Sequence, residues 1–166
     1  MSPSLEIKPA TPADVPLILS FIKQLAEYEK LAHEVVATEE LLRQNLFERR
    51  CAEVIIAYYQ KADTAEKEPA GFALFFHNFS TFEGKPGLYL EDLFVRPDFR
   101  GLGIGKKLLI QLAALAKERS CGRFEWVVLN WNEPSRKFYE SLGAKPHEEW
   151  IIHRVSGKNL DDLAAL

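Results

Sequence analysis

Arg100-Gly101-Leu102-Gly103-Ile104-Gly105-Lys106 stands between two apolar stretches of different period. Before it, Leu88 through Val95 is apolar except for Glu91 and Asp92 and reads as a strand, stopped by Arg96-Pro97-Asp98. After it, Lys107 to Arg119 places Leu108, Leu109, Leu112, Leu115 and Ala116 on one helical face. Glycine tolerates positive φ and lets a ligand approach the backbone. A helix that starts here presents unpaired N–H groups and the positive end of its dipole. The junction is therefore suited to a phosphate or pyrophosphate. Lys106 and Lys107 in the first helical turn are unfavourable for the helix alone, and a bound anion offsets that penalty.

Spacing separates the phosphate-binding possibilities. A P-loop needs four residues between its first glycine and the Gly-Lys pair, followed by Ser or Thr. Here three separate Gly101 from Gly105, and Lys107 follows Lys106. A dinucleotide fingerprint starting at Gly101 would need glycine at 106, and lysine is there. A tight strand-to-helix turn without any ligand remains as the structural alternative.

Outward from the turn, the elements alternate irregularly. Leu5-Glu6-Ile7 opens a short strand that ends near Pro9. Thr11 and Pro12 read as N-cap and first helical residue, although Pro16 moves the start of the regular helix later. Ile18, Ile22, Leu25 and Glu29 then share a stripe, and Thr38 begins a second helix with Leu41, Leu42 and Leu46. Val54–Tyr59 and Gly71–Phe76 read as a hairpin across the polar loop Gln60–Glu68, and Gly84–Gly87 as a turn. Phe124–Leu129 reads as a strand and Pro134–Leu142 as a helix closed by Gly143. Trp150–Arg154 is expected to be a last strand and Asn159–Leu166 a terminal helix. The order predicts one mixed α/β domain of the α+β class over residues 1–166.

Composition bounds the function. The chain has 166 residues, 47% hydrophobic and 27% charged, as in an ordinary globular protein. A net charge of -3 with no basic block argues against a nucleic-acid partner. No apolar run has the length of a membrane span, and Met1-Ser2-Pro3-Ser4 leads into a strand with no signal-peptide core, so a cytoplasmic protein is expected. Cys51 and Cys121, like His77, His147 and His153, match no metal spacing, so no metal is expected.

The glycine turn resembles the Arg/Gln-x-x-Gly-x-Gly/Ala motif of the GNAT acetyltransferase superfamily. Leu90-Glu91-Asp92, Trp131-Asn132-Glu133-Pro134-Ser135, Phe138-Tyr139, Glu27-Tyr28-Glu29 and Glu148-Glu149-Trp150 are similar to its spermidine/spermine (diamine) N-acetyltransferase branch. The likeness runs from about Ile7 to Leu163. It implies a mostly antiparallel sheet of six to seven strands, flanked by helices and splayed where acetyl-CoA binds. It implies coenzyme contacts at Leu93, Phe94, Val95, at Arg100 through Lys106, and at Asn132, Glu133, Pro134 and Ser135. Tyr139 takes the place of the family's general acid, and Glu91 that of its proposed base. Tyr28, Glu29, Glu91, Glu125, Trp126, Val127, Glu148 and Glu149 match positions lining the amine site. The branch acts on polyamines, thialysine and other lysine-like amines, and usually forms homodimers.

The chemistry explains why such residues are wanted. An alkyl ammonium resembles Lys, so freeing its lone pair at pH 7 costs roughly 4.6 kcal/mol. A carboxylate raised by burial, or one that passes the proton outward through water, meets that need. Strand alternation sends Glu91 and Asp92 to opposite faces, which disfavours their direct pairing. The bland reading of Glu91 is a strand carboxylate in an ion pair, and that of Tyr139 a helix-end aromatic anchoring the core. The expected activity is acetyl transfer from acetyl-CoA to the primary amine of a small polyamine or lysine-like molecule. The alternatives are a CoA-binding sensor without turnover and acetylation of a protein or peptide amine.

Overall fold

The computed structural model describes residues 2–62 and 64–166; Met1 and Asp63, within the expected N-terminal run and polar loop, lie outside them. The described chain forms two compact units, one ending at Val127 and the other spanning Val128–Leu166.

The first unit is built on strands β1 (Ser4–Pro9), β2 (Glu53–Gln60), β3 (Glu68–Ser80), β4 (Lys85–Val95) and β5 (Arg123–Trp126). They form one sheet in sequence order, antiparallel from β1 to β4, with β5 parallel to β4. Among the described residues the sheet is thus five-stranded, rather than the expected six to seven. Trp150–Arg154, expected as a strand, has no regular structure among the described residues. Its β-branched and aromatic composition suits a strand but does not supply a partner edge. Two boundaries also move: the turn before β4 falls at residues 81–84, and β5 ends at Trp126 rather than Leu129.

Helix α1 (Val15–Tyr28) follows a short 3-10 turn over Pro12–Asp14, as the second proline requires. Thr38 caps α2 (Glu39–Leu42) by accepting the Leu41 N–H at 3.2 Å. The chain then widens into a π-helical segment, Arg43–Glu48. These helices cover one face of the sheet, where Ile18, Phe21, Leu46, Ile56, Phe72 and Phe94 form the core. Phe21 stacks on Phe72 with centroids 5.3 Å apart. Helix α3 (Ile104–Glu118) packs on β2 to β5, burying Leu108, Leu112 and Ala116. The alternate set of strand residues, including Phe75, Leu88 and Leu90, faces that other side; the Arg119 guanidinium, just past α3, lies 5.9 Å from the Phe75 ring.

The second unit contains α4 (Glu133–Ser141) and α5 (Lys158–Ala164). Gly143 has φ +91° just past α4, where a left-handed residue ends a helix without Cβ strain. Among the described residues, no helix is long and apolar enough to cross a membrane.

Candidate functional site

Two irregularities in β4 create the first part of the site. Strands β4 and β5 pair only over Gly87–Leu90 and Arg123–Trp126, so β4 runs on from Glu91 to Val95 without β5 beside it. On its other edge β4 stays bonded to β3, but the register skips one residue. Leu74 opposes Asp92 and Phe75 opposes Leu90, leaving Glu91 as an extra residue. This β-bulge lies where the sheet opens, a position at which a bulge re-aims side chains.

The bulge overturns simple alternation. Asp92 opposes Leu74, which packs with the α1 core, so Asp92 lies on the α1 face. Glu91 is exposed, yet close enough to Asp92 to act on its ionisation. Burial, reinforced by the charges of Glu91 and Glu29, pushes the Asp92 carboxyl up to about 6. Glu29, at the end of α1, is also raised by burial. The sequence drew attention to Glu91; Asp92 is the buried member of the pair, and only the bulge could have revealed it.

The glycine turn follows. Gly101 and Gly103 have φ +79° and +76°, and a Cβ on either would point into open space. Gly103 is the N-cap of α3, with no side chain capping the helix, so its first N–H groups face outward. Ile104 is buried and anchors the turn, whereas Lys106 and Lys107 are exposed beside it. Gly105 is different: a Cβ there meets only Val95 Cγ2 at 3.7 Å, an ordinary contact. Arg100 does not simply point at a ligand. Its Nε donates to Val95 O at 3.1 Å, and its guanidinium lies 4.9 Å from the Tyr28 ring and 5.9 Å from Phe94. Tyr28 is thereby brought against the turn.

Glu125 is engaged already. Its Oε1 accepts from Asn78 Nδ2 at 2.5 Å and lies 3.2 Å from Arg123 Nη2. Trp126 packs on Phe124 with centroids 4.9 Å apart, and Val127 is exposed.

In the second unit, Asn132 is buried and accepts the Ser135 N–H at 3.4 Å, so it caps α4 with Glu133 and Pro134 in the first turn. Tyr139 is half-buried in α4, its ring 5.5 Å from that of Phe138. Glu148 lies 3.8 Å from Arg136, and Glu149 lies 3.4 Å from His147. A backbone hydrogen bond and His147 lower the Glu149 carboxyl.

Comparison with known proteins agrees with this geometry. The sequence profile of the Acetyltransferase (GNAT) family matches residues 22–144. An L-ornithine N5-acetyltransferase of Arabidopsis thaliana is 33% identical, with 96% of this chain and 88% of that protein aligned. A thialysine N-epsilon-acetyltransferase of Bos taurus is 35% identical over 95% of this chain and 96% of that protein. Among solved structures, an integron cassette protein from the mobile metagenome of V. cholerae superposes with a TM-score of 0.78 at 30% identity. That match covers 97% of this chain and 98% of the other. With the family profile matching most of the chain and relatives above 30% identical along nearly its whole length, the chain belongs to the GNAT acetyltransferase family.

Proposed function

We propose that the chain transfers acetyl from acetyl-CoA to a primary amine of a small lysine-like or polyamine substrate, the amine attacking the thioester directly. The observation that carries this reading is the open Gly101–Gly103 turn next to a bulged, unpaired β4 bearing Glu91 and Asp92. Relatives that acetylate ornithine and thialysine support an amine acceptor.

The residues present fit the coenzyme. Two glycines leave room for close approach, the α3 N–H groups are uncapped, and two exposed lysines offset phosphate charge. Arg100 through Lys106 would hold the pyrophosphate, and Leu93 to Val95 would offer backbone groups on the strand edge that β5 leaves open. Asn132 to Ser135 would meet the remainder. When bound, the coenzyme supplies the activated acetyl group. The chain's own part is to lower the cost of deprotonating the amine. Asp92, with its raised pKa, accepts that proton better than an ordinary carboxylate, and exposed Glu91 passes it to solvent. Tyr28, Glu29, Glu125, Trp126 and Val127 would line the acceptor, with Glu148 or Glu149 joining them. Tyr139 is the proposed donor to the departing thiolate. A phenol near 10 is a weaker acid than a thiol near 8.5, so its share is nearer 100-fold than 10,000-fold.

We further propose a single functional domain in a cytoplasmic homodimer. The family match crosses the boundary at Val127, both cysteines are free thiols, and the exposed Trp150, Ile151 and Ile152 offer an apolar contact surface.

Free-thiol release from acetyl-CoA tests the activity, with spermidine, putrescine, thialysine, lysine and a short peptide as acceptors. Turnover with a small amine is expected, and Tyr139→Phe should lower kcat by about 100-fold while coenzyme binding persists. Tight binding without thiol release across the panel would sink the enzyme reading. Turnover confined to the peptide would shift the acceptor to protein amines.

A further inference from the structure

Beside the splayed end of β4, the α1 face of the sheet carries a second polar cluster of unlike charges. The β3–β4 register puts Asn78 opposite Gly87 and Phe76 opposite Tyr89, and the β4–β5 register puts Arg123 beside Gly87 and Glu125 beside Tyr89. The side chains confirm the shared face. Phe76 and Tyr89 have ring centroids 5.0 Å apart, and Asn78 reaches Glu125. A Cβ at Gly87 would fall on Asn78 Oδ1 and come within 3.0 Å of Arg123 Cγ. Leu74 and Asp92 continue the same row toward the bulge.

The cluster is incompletely satisfied. Arg123 Nη2 contacts Glu125 Oε1 and donates to Phe79 O at 3.3 Å. Its Nε and Asn78 Oδ1 are buried without hydrogen-bond partners. Both contacts of Glu125, with Asn78 and with Arg123, fall on Oε1. Two buried polar atoms without partners cost more than a surface ion pair returns, so a purely structural bridge accounts poorly for this arrangement. The chemistry matches a zwitterion. A guanidinium recognises a carboxylate, and the neighbouring carboxylate recognises an ammonium. A polyamine would suit it badly, because it brings no carboxylate for Arg123, whose charge repels a distal ammonium. Along the row, Asp92 and Glu125 are separated by about three residues of strand and one inter-strand step, roughly 10 Å between backbone positions. Side chains on one face stand roughly parallel, so the two carboxylates are separated by a similar span, which an ornithine or lysine fills with a polar contact of about 3 Å at each end.

We infer that Arg123 and Glu125, braced by Asn78, hold the α-carboxylate and α-ammonium of an amino-acid acceptor while its side-chain amine lies at the Glu91–Asp92 bulge. This rests on the acetyltransferase reading above and narrows its acceptor to basic α-amino acids.

The test compares matched acceptors that differ only in the head group: ornithine with putrescine, and lysine with cadaverine. The wild-type protein should show a higher kcat/KM for the amino acid of each pair. Arg123→Gln should lower the ornithine-to-putrescine ratio at least tenfold, mainly through KM for ornithine, with Arg123→Lys intermediate. Ornithinamide, which lacks the carboxylate charge, should raise KM at least tenfold with the wild-type protein, a measurement that needs no variant to fold. A ratio within twofold of wild type in Arg123→Gln, or equal KM for ornithine and ornithinamide, overturns the inference while leaving acetyl transfer intact. No thiol release with any amine overturns the underlying reading and the inference with it.

Discussion

Asp92 is half-buried on a face shared with apolar residues, and its charge meets those of Glu91 and Glu29. Its folded pKa, about 6, lies above the ordinary 3.8, so the folded state prefers the proton. The stabilisation by protonation is complete below the ordinary value and is lost as pH rises through 6. Asp92→Asn should therefore raise Tm at pH 7.5 by about 2–6 °C, a gain of roughly 1–2 kcal/mol. Melting curves should show that gain shrinking as pH falls toward 4, and a constant difference across pH would contradict the assignment. The same variant should slow turnover, and the wild-type kcat/KM should fall on the acid side of about pH 6. The sequence displayed Glu91-Asp92 as a pair of carboxylates in an apolar run, but alternation placed them on opposite faces. One extra residue in the ladder turns Asp92 to the α1 face, out of step with the alternation that runs up to Leu90, and nothing in the local composition announces it.

Elements were legible where a pattern and its punctuation agreed. The strand, glycine turn and helix from Leu88 to Arg119 combine an apolar run, residues suited to positive φ and a clean helical stripe. The Thr38 cap and the Gly143 stop have the same character. The π-helical stretch Arg43–Glu48 and the absent last strand were not legible. Hydrophobic spacing does not distinguish a widened helical turn from a regular one, and strand propensity alone does not provide an edge to join. The glycines of the turn make unequal contributions. Gly103→Ala places a Cβ at φ +76° and should cost about 1–2 kcal/mol. It should also raise KM for acetyl-CoA. Gly105→Ala makes only an ordinary contact with Val95 and removes a glycine from α3, so it should raise Tm. Differential scanning of the two variants checks the contrast, and equal destabilisation would refute it.

For the whole molecule, the apolar side chains that remain outside regular structure are as informative as the core. Trp150 and Ile151 are 73% and 77% exposed, far more than apolar residues of their size in a packed interior. Light scattering should give twice the chain mass, and Ile151→Glu should move it toward that of a single chain; a monomeric wild type would remove the homodimer. The Arg100–Tyr28 contact has a separate consequence. On the proposed function, Arg100 belongs to the turn that would hold the coenzyme and Tyr28 to the helix end that would border the acceptor, so their contact would link the two ligands. Two sites joined in this way exchange free energy, and thermodynamic reciprocity fixes the size of the exchange. Whatever factor CoA contributes to amine affinity, the amine must return to CoA. Calorimetric titrations in both orders should give that common factor, and Arg100→Ala should bring it toward one.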